Sequence, residues 1–156
     1  MHIAYLCNEY PPYPHGGVGS FVQLIARRLV QRGHKVSVLG MYPIVDKQKD
    51  NDQGVDVYRI PAGMKRKIDV FINHIHLSSL VDQVNKTEPI SLIEGNELSF
   101  GLLPVDQSLK KIIRIQGGHH FFSATLEGTR RLSKSIIERV SFAKANYFCA
   151  VSNFAA

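Results

Sequence analysis

The sequence predicts a single α/β domain, built on an open, doubly wound, mostly parallel sheet of the Rossmann-like kind. Six short apolar runs alternate along the chain with longer segments, several of which have helical periodicity. The length of 156 residues suits one domain, and an apolar fraction of 44% is sufficient for a buried core. Charged residues make up 21% and no segment is low in complexity, so we expect one fold without a disordered tail.

The first strand, first loop and first helix follow directly from the amino-terminal pattern. The apolar run 2–7 predicts a strand, and the proline- and glycine-rich segment 8–19 predicts a loop in which no helix persists. Ser20 is expected to cap a helix, and Gly33 is expected to end it in a left-handed conformation. The apolar side chains of that helix fall on one face: Phe21, Leu24, Ile25, Ala26 and Leu29.

Two further strands and a second helix follow. The runs 36–39 and 55–60 predict the second and third strands, the latter ending at a proline. The polar segment 46–54 between them is expected to be a mobile loop. The segment 67–84 has apolar residues at helical spacing and predicts an amphipathic helix, with Pro89 ending the segment.

The last third of the chain repeats the alternation. The runs 90–93, 111–115 and 146–151 predict three more strands, and 129–145 predicts an amphipathic helix. The segment 97–105 is expected to be a short, mostly helical connection interrupted by a proline. Strands that alternate with helices of this length pair in parallel through crossover connections, which predicts helices on both faces of the sheet.

In a doubly wound sheet, ligands bind beyond the carboxyl ends of the strands. That rule selects four loops: 8–19, 95–96, 116–120 and 152–153. The first of these contains Gly16-Gly17-Val18-Gly19 immediately before a helix. Glycine lets a ligand approach the main chain closely, and the free N–H groups and dipole of a helix N-terminus favour an anion. A purely structural role in close packing is the alternative.

Two common phosphate-binding sites do not fit this loop. A dinucleotide site needs Gly-x-Gly-x-x-Gly in a tight turn and an acidic residue after the second strand, whereas that strand ends in Gly40-Met41-Tyr42. A P-loop needs a lysine at the start of the helix, and none stands there. The sequence therefore argues against both a nicotinamide-dependent reductase and a P-loop nucleotidase.

Three features together resemble the N-terminal domains of glycosyltransferase family 4. They are Tyr10-Pro11-Pro12, the glycine loop 16–19 ahead of an amphipathic helix, and Gly33-His34-Lys35-Val36 entering the second strand. More weakly, 114–122 is similar to the exit of the family's fifth strand, and 145–154 to the strand and serine turn near the end of its N-terminal domain.

The resemblance implies a GT-B enzyme with two Rossmann-like domains that face each other across a cleft. Such enzymes transfer a sugar from a nucleotide-diphosphate sugar to an acceptor with retention of configuration, and they use no cofactor and usually no metal. Residues 1–156 would form the acceptor-side domain, without the donor-binding domain, so the isolated chain is expected to be inactive. A non-catalytic or split-chain module, which supplies the acceptor site to a separate donor-binding partner, is the alternative.

The resemblance also implies roles for particular residues. Gly16 and Gly17 would contact the donor's diphosphate or sugar. Many relatives carry a histidine where this chain has Gln116, so either Gln116 or His119 is expected to bind the donor sugar. The candidates on the acceptor side are Glu9, His15, Asn96 and His120. Each of these also has a structural interpretation, as a loop ion pair, an exposed side chain or a strand end. The sequence does not identify the sugar, the nucleotide or the acceptor.

Composition and the N-terminal sequence limit the expected cellular location and partners. The N-terminus lacks the features of a signal peptide, and no run approaches the roughly 18 apolar residues that span a bilayer. We therefore expect a cytoplasmic protein in which Cys7 and Cys149 are buried, reduced core residues. The chain carries a net charge of +6, which favours anionic partners. Nucleic acid is not expected, because the basic residues belong to no recognised binding module.

Two basic clusters raise a second question about partners. Lys65-Arg66-Lys67 leads into the second helix, and Arg130, Arg131 and Lys134 cluster near another. They are expected either to dock anionic lipid at the inner face of a membrane, beside a glycan or lipid-linked acceptor, or to form a solvated helix face.

Overall fold

Seven strands form one sheet in the computed structural model, which describes residues 1–63, 67–116 and 132–151. The strands are β1 (His2–Leu6), β2 (Lys35–Tyr42), β3 (Lys49–Asp52), β4 (Val55–Pro61), β5 (Leu92–Gly95), β6 (Lys110–Ile115) and β7 (Tyr147–Ala150). The helices of these ranges are α1 (Gly17–Gln31), α2 (Lys67–Thr87) and α3 (Leu132–Lys144).

The strand order is β3-β4-β2-β1-β5-β6-β7, with β1 between β2 and β5. All neighbouring strands pair in parallel except β3 and β4, which are antiparallel. The prediction of an open, doubly wound, mostly parallel sheet is therefore confirmed. Because β1, β2, β5 and β6 run in the same direction, their carboxyl ends meet at one edge of the sheet.

The two faces of the sheet pack against different helices. Alternate residues of β1 separate the two sides, since Ile3 and Tyr5 join one cluster and Ala4 joins the other. The first cluster includes Val22 and Ala26 of α1. The second cluster takes apolar residues from α2 and from the turn after β5, namely Leu77, Val81, Val84, Phe100 and Leu103. Phe142 of α3 packs against this cluster. Burial on both faces fixes the register of the central strands.

Several local predictions were wrong. Ser20 does not cap α1, because the helix begins at Gly17 with Gly16 as its cap residue, and the Ser20 hydroxyl donates back to the Gly16 carbonyl at 3.1 Å. The connection 97–105 forms turns and no helix, because the Asn96 side chain accepts hydrogen bonds from Leu98 and Ser99 and holds the chain in a turn. The left-handed conformation of Gly33 is confirmed, with φ of +81°.

The prediction of a mobile loop at 46–54 was also wrong. Its residues 49–52 form β3, which pairs with β4 through a tight turn at Gln53 and Gly54, both with positive φ. The strand has only polar side chains, as is common at the edge of a sheet, and therefore shows no apolar periodicity in the sequence. Cys7 is buried as expected and Cys149 is half-buried, and both are free thiols.

Asp52, the last residue of β3, ties this edge hairpin to the first loop and to α1. Its carboxylate accepts hydrogen bonds from the Tyr10 hydroxyl at 2.7 Å, from two nitrogens of Arg27 at 2.7 and 3.0 Å, and from Gln23 at 3.2 Å. Burial disfavours the charged carboxylate, but these donors outweigh it and lower the pKa of Asp52.

We predict that Asp52→Asn lowers the free energy of unfolding at neutral pH by about 1–3 kcal/mol, because charge-assisted hydrogen bonds are lost. A carboxyl whose pKa is lower in the folded state stabilises the fold above its unfolded pKa of about 3.9, and this stabilisation disappears as the pH falls through the folded value. The difference between variant and wild type should therefore shrink in acid. Urea unfolding across pH measures it, with Asp82→Asn as the matched control. A difference independent of pH would contradict this account.

Candidate functional site

A cavity of about 390 Å³ opens at the carboxyl ends of β1, β2 and β5, between the start of α1 and the helix α2. Its walls are partly apolar and partly polar. The polar lining residues are Asn8, Glu9, His74, Asn96 and Ser99. A cleft with placed polar groups at this edge of a doubly wound sheet is where such folds bind small molecules.

The loop between β1 and α1 is held by buried groups of β2 and β4. Tyr10 is fully buried, and its N–H donates to the Tyr42 hydroxyl at 3.1 Å. That hydroxyl donates to the Cys7 carbonyl at 2.9 Å, and burial raises the pKa of Tyr42 to about 12. Arg59 donates to the Pro11 carbonyl at 3.1 Å and lies over the Tyr13 ring at 4.9 Å. The loop is therefore fixed in one geometry before any ligand arrives.

The three glycines of this loop have different surroundings. A Cβ atom on Gly19 would lie 1.9 Å from the Glu9 carbonyl oxygen, so only glycine fits where α1 crosses the exit of β1. A Cβ on Gly16 would lie 3.5 Å from a carboxylate oxygen of Glu9. A Cβ on Gly17 would meet no atom within 4 Å, so the space in front of the first residue of α1 is open.

The N-terminus of α1 has one amide occupied and two available. The Gly19 N–H donates to Oε1 of Glu9 at 2.8 Å. The N–H groups of Gly17 and Val18 have no acceptor in the described parts of the chain. Val18 itself lines the cavity. Free N–H groups at the positive end of a helix dipole favour an anion, so this end of the cavity is suited to phosphate oxygens.

Glu9 and Asn96 both line the cavity, as the sequence predicted for acceptor-side residues at this edge. Each also has a structural partner. One carboxylate oxygen of Glu9 is bonded to the start of α1, and Oδ1 of Asn96 accepts the Leu98 N–H at 3.0 Å. Glu94, just before the end of β5, is buried and forms a bidentate pair with Arg114 at 2.7 and 3.2 Å.

Gln116 follows β6 at the same edge of the sheet. Its N–H donates at 2.6 Å to Glu97, which is buried in the turn after β5. The sequence did not predict a buried role for Glu97, because a glutamate outside a strand is ordinarily a solvated charge. The bond ties the exit of β5 to the exit of β6 and fixes where Gln116 leaves the sheet.

The predicted acceptor-side residue His15 is not part of this cavity. His15 is exposed, and its Nδ1 lies 2.8 Å from the Tyr13 carbonyl, outside the lining of the cavity. His119 and His120 lie outside the described residues, so the choice between Gln116 and His119 as the donor-sugar residue stays a prediction.

His74 of α2 is a lining residue that the sequence analysis did not select. Its Nδ1 lies 2.7 Å from the Val70 carbonyl, four residues earlier. A carbonyl oxygen can only accept, so Nδ1 carries a proton, and in the tautomer with a single proton Nε2 keeps its lone pair. His74 is thus suited to accept a hydrogen bond from a ligand hydroxyl. No local signal marked it, because its position at the cavity depends on how α2 packs on the sheet.

Burial raises the pKa of the Cys7 thiol to about 11, so this lining residue is an unreactive part of the wall. Within residues 1–63, 67–116 and 132–151, no three His, Cys, Asp or Glu side chains are grouped so that they could hold a metal ion. None of the helices in those ranges is long and apolar enough to cross a membrane.

The fold is similar to one half of solved GT-B glycosyltransferases. The structure resembles sucrose-phosphate synthase from Thermosynechococcus elongatus with a TM-score of 0.73 at 13% identity, covering 95% of this chain and 41% of that one. It resembles UGT89C1 of Arabidopsis thaliana complexed with UDP with a TM-score of 0.63 at 12% identity, covering 97% and 45%. LpCGTa in complex with UDP gives 0.61 at 14% identity, with the same coverage.

The chain belongs to glycosyltransferase family 4, because the sequence model of that family matches residues 15–156. No curated protein matches the chain by sequence. The chain spans less than half the length of the three solved structures, which resemble it in fold at low sequence identity. The family and the fold confirm the predicted resemblance and assign a glycosyltransferase domain.

We predict opposite effects for two substitutions in the glycine loop. Gly19→Ala should lower the free energy of unfolding by about 1–3 kcal/mol, because the added methyl group collides with backbone. Gly17→Ala is the matched control and should leave stability unchanged or raise it by up to about 1 kcal/mol, since alanine suits a helix and the space is open. Denaturant unfolding compares them. Equal destabilisation by both would contradict the close packing seen at Gly19.

Proposed function

We propose that the full-length protein transfers a sugar from a nucleotide-diphosphate sugar to an acceptor with retention of configuration. In this proposal residues 1–156 supply the acceptor side of the cleft and part of the diphosphate site. The observation that carries it is the pair of amides at the start of α1, those of Gly17 and Val18, which have no acceptor in the described chain, with open space at Gly17 and the cavity at Val18. Two solved structures of similar fold contain UDP, which supports a nucleotide-linked donor.

The glycine loop would act on the departing diphosphate. Negative charge develops there as the bond to the sugar breaks, and fixed N–H donors aimed at it stabilise the transition state without reorganisation. The loop meets this requirement because Tyr10, Tyr42 and Arg59 already hold it in place. We propose that Gly16 and Gly17 contact the diphosphate or the transferred sugar, with Gln116 or His119 binding the sugar itself, and that no metal or other cofactor takes part.

Glu9 lies at the start of α1, with one carboxylate oxygen bonded to the Gly19 N–H. The second oxygen suits a hydroxyl donor, and it would repel a phosphate placed beside it. We propose that Glu9, Asn96 and His74 bind acceptor hydroxyl groups, with His15 and His120 as outer candidates. The donor diphosphate then contacts the amides of Gly17 and Val18 on the side away from the Glu9 carboxylate.

The remaining catalytic groups are proposed to lie in a donor-binding domain outside this chain, either in the same polypeptide or on a separate partner. Closing the two domains would exclude water, which otherwise takes the sugar. We further propose that the protein works in the cytoplasm, a reducing compartment in which the free thiols Cys7 and Cys149 persist.

The first test is transfer by the full-length protein across a panel of nucleotide sugars. Gly17→Val should lower kcat/KM by about tenfold or more, because its side chain fills the space in which the diphosphate approaches the amides. Ser20→Ala, one turn further along α1, is the matched control and should keep full activity. The isolated 1–156 chain should show no turnover. Full activity of Gly17→Val, with wild-type stability, would refute the assigned phosphate site.

The second test separates acceptor from donor binding. His74→Ala should raise KM for the acceptor about 3- to 10-fold, the effect of one lost hydrogen bond between neutral groups, and leave KM for the donor unchanged. His15→Ala tests the outer candidate and should have a smaller effect, since His15 does not line the cavity. A change confined to donor KM would show that His74 has been assigned to the wrong substrate.

A further inference from the structure

A second cavity, of about 330 Å³, lies between the loop that follows β1 and the edge hairpin of β3 and β4. One wall is residues 12–14 of that loop, and the other includes Asp50 of β3 and Arg59 of β4. We call it the Arg59 cavity. It shares no lining residue with the candidate site. Its volume suits one small ligand unit, since pockets that bind small molecules begin at about 300 Å³.

Arg59 is the buried charged group of this cavity, with 2% of its surface exposed. Its Nη2 donates to the Pro11 carbonyl at 3.1 Å. Within residues 1–63, 67–116 and 132–151, its Nε and Nη1 have no hydrogen-bond partner. Buried N–H groups cost free energy when they lack an acceptor, and this cost is larger for a charged group. Arg59 therefore favours a ligand that brings an acceptor oxygen into the cavity.

Asp50 determines which kind of oxygen fits best. Its Oδ2 is 3.7 Å from Nη1 of Arg59, too far for a hydrogen bond, so an oxygen beside the pair can reach both atoms at about 2.8 Å. A hydroxyl accepts from the guanidinium and donates to the carboxylate. A phosphate or carboxylate oxygen can only accept, and Asp50 would repel it. The pair therefore selects a hydroxyl group.

The rest of the lining agrees with an uncharged ligand. The four charged residues of the cavity cancel one another: Asp46, Lys47, Asp50 and Arg59. An anion therefore gains no general attraction there. The remaining lining residues, Pro12, Tyr13 and Pro14, offer apolar surface beside these polar groups. A sugar ring combines hydroxyl groups with apolar C–H faces, so it matches both kinds of surface.

The walls of the cavity are held by contacts within the protein. The Tyr13 hydroxyl accepts the Asp46 N–H at 2.7 Å, which joins the loop after β1 to the segment that leads into β3. The Tyr13 ring packs against Tyr42, with ring centres 5.4 Å apart, and Arg59 lies over the Tyr13 ring at 4.9 Å. A ligand therefore meets a preformed cavity and loses little free energy in ordering it.

We propose that the Arg59 cavity binds one neutral sugar unit, with a hydroxyl of that sugar bonded to both Arg59 and Asp50. The site stands on the unpartnered nitrogens of Arg59 and on the lining of the cavity, and it does not depend on the proposed glycosyl transfer. Residues 8–9 of the loop after β1 line the candidate site and residues 12–14 line this one, so the two sites share a loop.

The test is binding of the full-length protein to an array of neutral oligosaccharides. At least one should bind to wild type and equally to His74→Ala, which separates this cavity from the candidate site, and calorimetry with that sugar then gives Kd. Asp50→Asn should raise Kd about 3- to 10-fold, because a charged acceptor is lost. Arg59 is left unchanged because it also holds Pro11.

A second variant blocks the cavity without touching Arg59 or Asp50. Lys47 is exposed and lines the cavity, so Lys47→Trp should fill the space and raise Kd about tenfold or more. Lys86→Trp is the matched control at an exposed position of α2, and it should bind as wild type does.

Four results would overturn the proposal. They are no binding of any neutral oligosaccharide, binding that His74→Ala always abolishes, an unchanged Kd in Lys47→Trp, and tighter binding by Asp50→Asn, which would show that the carboxylate opposes the ligand. Transfer assays report separately on the proposed function. If the sugar binds as expected and no nucleotide sugar is used, the Arg59 site stands and the glycosyl transfer fails.

Discussion

The contact between the start of α1 and the exit of β1 determines which backbone amides are free at the carboxyl edge of the sheet. Gly19 approaches the Glu9 carbonyl so closely that no side chain fits between them. The Gly19 N–H donates to the Glu9 carboxylate at 2.8 Å, so the same pair satisfies one amide of the helix end. With the helix held there, the two preceding amides, of Gly17 and Val18, have no acceptor in the described chain, and Val18 lines the cavity.

The loop that leads to this contact depends on buried polar groups brought from elsewhere in the sheet. Tyr42 of β2 bonds to both ends of the segment from Cys7 to Tyr10, and Arg59 of β4 bonds to Pro11. Within the described residues, two guanidinium nitrogens of Arg59 have no hydrogen-bond partner, and the group lies over the Tyr13 ring, with an Asp50 oxygen at 3.7 Å. Such a network is costly to break, which makes the loop rigid and suits a site that must be preorganised.

Different faces of the helix α2 have different surroundings. Its inner face packs on the sheet, His74 lines the cavity, and the outer face of its first half is apolar and exposed. The cavity is lined by Val18 of α1 and by His74 and Leu77 of α2, so its shape depends on how both helices pack on the sheet.

Sequence patterns were enough to predict the alternation of strands and helices, the glycine loop ahead of α1 and the left-handed Gly33. Each of these follows from local rules, because apolar periodicity, proline and glycine act within a few residues of where they stand. It also carried the family resemblance, which the family match confirmed over residues 15–156. It indicated the edge of the sheet at which Glu9 and Asn96 meet.

Other features depend on how the elements pack together. The cap residue of α1 is Gly16, where the sequence predicted Ser20, because Glu9, ten residues before Gly19, accepts a hydrogen bond from the helix end. The polar segment 49–52 is a strand because it pairs with the edge of β4. The packing of Leu77, Val81 and Val84 sets the rotation of α2, so that His74 lines the cavity and the apolar residues 68, 71, 72 and 75 are exposed. Contacts between residues distant in sequence make these choices, and periodicity along the chain does not encode them.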